Sequence, residues 1–93
     1  MSKSIYKYQL EQGGTSTIRM PVGAKVLEVN NQYGEVVMHA LVPTDSNTVT
    51  EVRHFETVAT GQNLSATIDE CTFIGTVILS DGAYVVHVFE YRK

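Results

Sequence analysis

The feature that most constrains this chain is its punctuation. Short runs rich in Val, Ile, Thr, Tyr and Phe are cut by Gly, Asn, Asp or Pro, and no segment sustains a helical period. β-Branched and aromatic side chains pack well on a pleated surface and lose rotamer freedom in a helix. Strands are therefore expected at residues 5–10, 15–20, 24–30, 35–42, 48–60, 71–79 and 83–91. Gly13-Gly14 separates the first two and predicts a hairpin between them. Pro21-Val22-Gly23 and Asn31-Gln32-Tyr33-Gly34 read as turns, the second because Asn and Gly tolerate positive φ. Residues 43–47 end the fourth strand, and Asp81-Gly82 suits a primed hairpin turn. The fifth run alternates imperfectly, which predicts a bulge. Residues 61–70 form the longest candidate loop, with room for a helical turn, although Leu64, Ala66 and Ile68 lack helical spacing. Strands at this spacing define an all-β fold: a small, mostly antiparallel sandwich or barrel of about seven strands. At 93 residues the chain is read as one domain, residues 1–93.

Side chains alternate between the two faces of a strand. In the last run Ala83, Val85, His87, Phe89 and Tyr91 share one face, and Tyr84, Val86, Val88 and Glu90 the other. The fourth run sets Val37, His39 and Leu41 against Val36, Met38, Ala40 and Val42, and the sixth sets Cys71, Phe73, Val77 and Leu79 against Ile74 and Ile78. An antiparallel sandwich ordinarily keeps one face of each sheet wet. Strands that are apolar on both faces call for a second cover, either the 61–70 segment or another subunit. A subunit is the preferred reading, giving a homo-oligomer, dimer or higher. Charged residues make up only 18% of the chain, which agrees with that preference, although a surface rich in Thr, Ser, Asn and Gln gives the same figure.

Charge and cysteine content exclude several classes of function. The net charge is −3 and the 7 Lys and Arg form no run, so generic nucleic-acid binding, which neutralises phosphates with clustered basic residues, is not expected. The single cysteine, Cys71, rules out an internal disulfide framework and reads as a small buried hydrophobe in a reducing compartment. No apolar stretch follows Met1-Ser2-Lys3-Ser4, and no run approaches the ~20 apolar residues of a membrane span. The expected location is the cytoplasm of whatever cell holds the protein.

The order of short motifs adds a resemblance. Lys7-Tyr8 is followed by Ile18-x-Met20-Pro21-x-Gly23-Ala24-Lys25-Val26-Leu27-x-Val29, then Ala40-Leu41-Val42 and Thr60-Gly61. Phe73-Ile74-Gly75-Thr76 and Val85-Val86-His87-Val88-Phe89-Glu90 complete the set. Together, from Lys7 to Glu90, they resemble a small, functionally uncharacterised domain family common in bacteriophage genomes. The resemblance implies a phage setting and no activity. The chain departs from that pattern at His39, where relatives often carry an aromatic, and at residues 61–70, which lack a small Pro-containing turn.

No catalytic constellation is assembled by these residues. The three histidines, His39, His54 and His87, fall on three different strands, and one cysteine cannot complete a structural zinc site, so no metal and no cofactor are expected. Asp69 and Glu70 are adjacent and would face opposite ways on a strand. Arg53-His54 beside Phe55 is a candidate for holding a phosphate or a base, because guanidinium offers a fork of donors. Thr60, Gly61, Gln62 and Asn63 form a candidate loop whose amides can cradle an anion, without the lysine of a nucleotide-hydrolase loop. Lys25 joins Arg53, His54 and this loop as a candidate ligand-binding residue. The expectation is a non-enzymatic phage accessory protein acting by binding, with sequestration of a nucleotide-derived defence signal in an oligomer as its concrete form. Binding of a host protein, or a role in virion structure or assembly, are the alternatives.

Overall fold

The computed structural model describes residues 2–45 and 48–91. Among them the alternating runs form β1 (Lys3–Leu10), β2 (Gly14–Pro21), β3 (Lys25–Gln32), β4 (Glu35–Pro43), β5 (Thr50–Ala59), β6 (Cys71–Leu79) and β7 (Tyr84–Tyr91). The only helical pieces among the described residues are 3-10 turns at Ala66–Glu70 and Ser80–Gly82, and no helix is long and apolar enough to cross a membrane. Part of the expected chain reversal at 43–47, Ser46 and Asn47, lies outside the described residues.

The strands build a sandwich of two antiparallel sheets, a three-stranded sheet ordered β1-β4-β3 and a four-stranded sheet ordered β2-β5-β7-β6. The expected β1–β2 hairpin does not form. Leu10 pairs with Val36 in one sheet, whereas Gly14 pairs with Thr57 in the other. The Gly13-Gly14 break is therefore a corner between sheets, and Gly14 (φ +83) takes a conformation that suits glycine there. The two remaining hairpins match their turn signals. Gln32 pairs with Glu35 around Tyr33 (φ 54) and Gly34 (φ 84), both in the left-handed region that a type I′ turn requires. Between β6 and β7 the Ala83 amide donates to the Ser80 carbonyl at 3.0 Å, with Asp81 (φ 54) and Gly82 (φ 94) at the turn centre.

The irregularities lie elsewhere than in the fifth run. β5 keeps unbroken register with both neighbours, and the register shifts fall around Leu27 in β3 and Ile74 in β6. One extra residue flips every later side chain to the other face. Hence Val77 and Leu79 point into the core while Cys71, Phe73, Thr76 and Ile78 share the outer face, a division that sequence parity alone does not produce. The core joins Leu10, Met20, Val36, Met38, Ala40 and Val42 to Phe55, Val77, Leu79, Val86 and Val88. Each large apolar side chain in this set contributes roughly 1.5–3 kcal/mol by leaving water. β3 and β6 close one side of the sandwich. Asn31 Nδ2 donates to the Ile78 carbonyl at 3.1 Å, and a Cβ on Gly75 would stand 2.9 Å from Val29 Cγ2.

Both outer faces gain cover from the chain itself. Lys7 Nζ on β1 donates to Gln32 Oε1 on β3 at 2.7 Å, which carries the lysine stem over β4. Val37, outward on β4 in the intervening row, is only 3% exposed. On the four-stranded sheet Val58 is buried at the foot of the 61–70 segment. Ile5, Leu27, Phe73 and Ile78 remain exposed.

Candidate functional site

The ligand-binding candidates named from the sequence divide among three places, because β5 points successive residues opposite ways. Arg53 shares the inner face with Phe55 and Thr57 and is 6% exposed. Its Nε and Nη2 donate to Glu90 Oε2 and Oε1 at 2.6 and 2.8 Å, and its Nη1 donates to the Ala24 carbonyl at 2.6 Å. The guanidinium carbon also lies 5.9 Å from the centre of the Phe55 ring. The hydrogen bond to Glu90 raises its already high pKa against the opposing effect of burial. Arg53 is thus neither a surface ligand for phosphate nor a solvated strand residue. It clamps β7 to the turn in which the Ala24 amide donates to the Pro21 carbonyl.

Lys25 opens β3 opposite Leu41 and is exposed on the three-stranded sheet. His54 is exposed on the outer face of the four-stranded sheet, in register with Thr17 and Tyr91. The Thr60–Asn63 group stands at the end of β5 on that same side. The structure therefore brings His54 and the loop to one face and leaves Arg53 and Lys25 apart from them.

Residues 60–70 fold over this outer face from a fixed base. The Thr60 amide donates to the Val85 carbonyl at 3.0 Å, and the Gln62 amide donates to the Ala59 carbonyl at 3.1 Å around Gly61 (φ +87). The Ala59 amide in turn donates to Gln62 Oε1 at 3.0 Å. His87 ties the base down from below: Nε2 shares a hydrogen bond with Thr60 Oγ1 at 2.8 Å and Nδ1 one with Thr76 Oγ1 at 3.0 Å. Both hydroxyls can donate or accept, so the ring is held in either tautomer. The loop returns through the 3-10 turn, where the Ile68 amide donates to the Ser65 carbonyl at 3.1 Å, and enters β6 at Cys71.

Between loop and sheet lies an open cleft of about 430 Å³. Glu56, Val58, Cys71 and Tyr91 supply the sheet side; Gln62, Asn63, Leu64, Ser65, Thr67 and Ile68 supply the loop side. Of the candidates named from the sequence, Gln62 and Asn63 line it. Glu56 and Tyr91 were missed because only the β5–β7 register, with Glu56 against Phe89 and Tyr91 against His54, places them together. Glu56 is half-buried and accepts a hydrogen bond from the Thr15 hydroxyl through Oε1. Cys71 Sγ donates to the Thr67 carbonyl at 3.6 Å. Burial pushes the Cys71 thiol above its ordinary pKa, and the charges of Glu56 and Glu70 push in the same direction. Among the described residues no Lys or Arg lines the cleft, and no group of His, Cys, Asp and Glu is placed to hold a metal ion.

The described residues form an all-β sandwich with a loop-roofed cleft on its larger sheet. The chain belongs to the family DUF7352, a domain of unknown function, whose model matches residues 1–93. No curated protein and no solved structure matches it.

Proposed function

We propose that the domain is a non-enzymatic binding module that holds a segment of a protein partner in the cleft beneath the 61–70 loop. In the bacteriophage setting implied by the sequence resemblance, that partner is a host protein. One observation carries the reading: a recess of about 430 Å³ combines apolar walls from Val58, Leu64 and Ile68 with the polar groups of Glu56, Gln62 and Asn63. Such a mixture suits recognition by shape and a few oriented hydrogen bonds. The nucleotide-sequestering form of the reading is less favoured, because Arg53 is engaged in the core and Lys25 stands on the other sheet. Self-association is a separate part of the proposal: Ile5 and Leu27, exposed on the three-stranded sheet, are the residues a two-fold copy would cover.

The test is capture from host extract by the purified domain and by a Leu64→Arg variant of unchanged melting temperature, with bound proteins identified by mass spectrometry. A protein retained by the native chain and lost by the variant supports the reading. Equal capture by both, or none by either, overturns it. Native mass spectrometry of the same preparation reports subunit number, and a retained mass in the nucleotide range would restore the sequestration reading.

A further inference from the structure

Among the described residues, the cleft holds a carboxylate and no Lys or Arg in its lining. Glu56 stands on its sheet side, half-buried, with Oε1 engaged by a neutral hydroxyl donor, Thr15. Asp69 and Glu70 close the 3-10 turn at the end of the loop that roofs it. Among the described residues, Arg19 and His54 on this face have partners of their own. Arg19 Nη1 donates to Thr50 Oγ1 at 3.1 Å, away from Glu56 along the β2–β5 ladder, and His54 Nδ1 lies 3.4 Å from Thr17 Oγ1. Tyr91 adds an aromatic ring to the lining, and Val58, Leu64 and Ile68 offer apolar contact for an alkyl stem. Burial first, and then the charges of Glu56 and Glu70, push the Cys71 thiol up, in keeping with negative charge beside the recess.

Apolar walls for a methylene chain, a carboxylate at the floor and an aromatic ring beside it match one chemistry: a long side chain ending in a cation. We infer that the cleft is a pocket for a basic side chain, arginine or lysine, presented by the protein partner, with its charged head on Glu56 and its stem against Leu64 and Val58. This rests on the binding reading above and names its ligand chemistry. Charge-assisted hydrogen bonds to a carboxylate are about twice as strong as neutral ones, and a cation over an aromatic face adds to them. Partial burial limits the screening that makes exposed ion pairs weak.

The experiment is selection of random linear peptides on the immobilised full chain, run in parallel on Glu56→Gln, whose amide oxygen still accepts from Thr15. The expected result is enrichment of one Arg or Lys position by the native chain and its loss in the variant. For the best selected peptide, affinity should fall about tenfold in the variant, the worth of roughly one strong hydrogen bond, and weaken as salt is raised. Selection of peptides without a basic position, or the same basic position in both proteins, overturns the inference and leaves the binding reading intact. Absence of any selected peptide, with capture from extract also negative, removes both.

Discussion

Arg53 on β5 and Glu90 on β7 meet between the two sheets through paired hydrogen bonds of 2.6 and 2.8 Å. A buried pair is not a large net stabiliser, because both ions have left water, but removing one partner leaves a charge in the core. Arg53→Met is expected to lower stability by about 3–5 kcal/mol, read as a shift of the urea midpoint. Arg53→Met with Glu90→Leu should lose much less than either change alone. A double variant as unstable as the sum of the singles would show that the Ala24 carbonyl, not the pair, is what Arg53 serves.

Gly75 and Val29 set the spacing between the sheets where β6 passes β3. A methyl on residue 75 would stand 2.9 Å from Val29 Cγ2, closer than side chains approach. Gly75→Ala is expected to cost about 1–3 kcal/mol by overpacking. Adding Val29→Ala should recover part of that loss. Chemical denaturation of the three variants measures it.

Tyr33 is 99% exposed at the β3–β4 turn with φ 54. A bulky residue in that region pays a steric penalty of roughly 1–2 kcal/mol that Asn largely avoids. Tyr33→Asn is therefore expected to raise the melting temperature. A fall would mean that the ring itself contributes to folding.

Cys71 should titrate above an ordinary thiol, chiefly from burial and secondarily from the charges of Glu56 and Glu70. Alkylation by iodoacetamide, followed against pH, is expected to reach its half-maximal rate above the ~8.5 of a free thiol, and Glu56→Gln should move that midpoint down. The sign for stability follows. A thiol whose pKa is higher in the folded state stabilises the unionised form there, so ionisation costs the fold stability as pH rises through and beyond the ordinary thiol range.

Strand positions are largely legible in the sequence because period-2 alternation and turn residues are local signals. The run expected at 71–79 coincides with β6, and 83–91 differs from β7 by one residue. What is not legible depends on partners. Gly13-Gly14 announces a reversal, yet no local feature says whether the next strand returns to the same sheet. Arg53 reads as a surface residue between Val52 and His54. Its parity with Phe55, and that of Glu90 with Val86 and Val88, is the available sign that two opposite charges face the core. The cleft is half visible, through Gln62 and Asn63, since loops advertise themselves by composition. Its carboxylate and tyrosine become neighbours only through a pairing between strands distant in sequence.

The corner at Gly13-Gly14 bears on how the chain reaches this state. β1 finds its partner only when β4 exists, and β2 only when β5 exists, whereas β3–β4 and β6–β7 close around short turns. Contacts between distant segments form slowly, because the intervening loop must be ordered before they reward it. During synthesis the first two strands leave the ribosome with bare edges and wait. Ile5 and Tyr6 are exposed in the finished fold, and on a nascent chain they stand beside backbone groups with no ladder to join. Lys3 and Lys7 on the same strand place like charge along that waiting edge, a safeguard against premature pairing with a neighbouring chain.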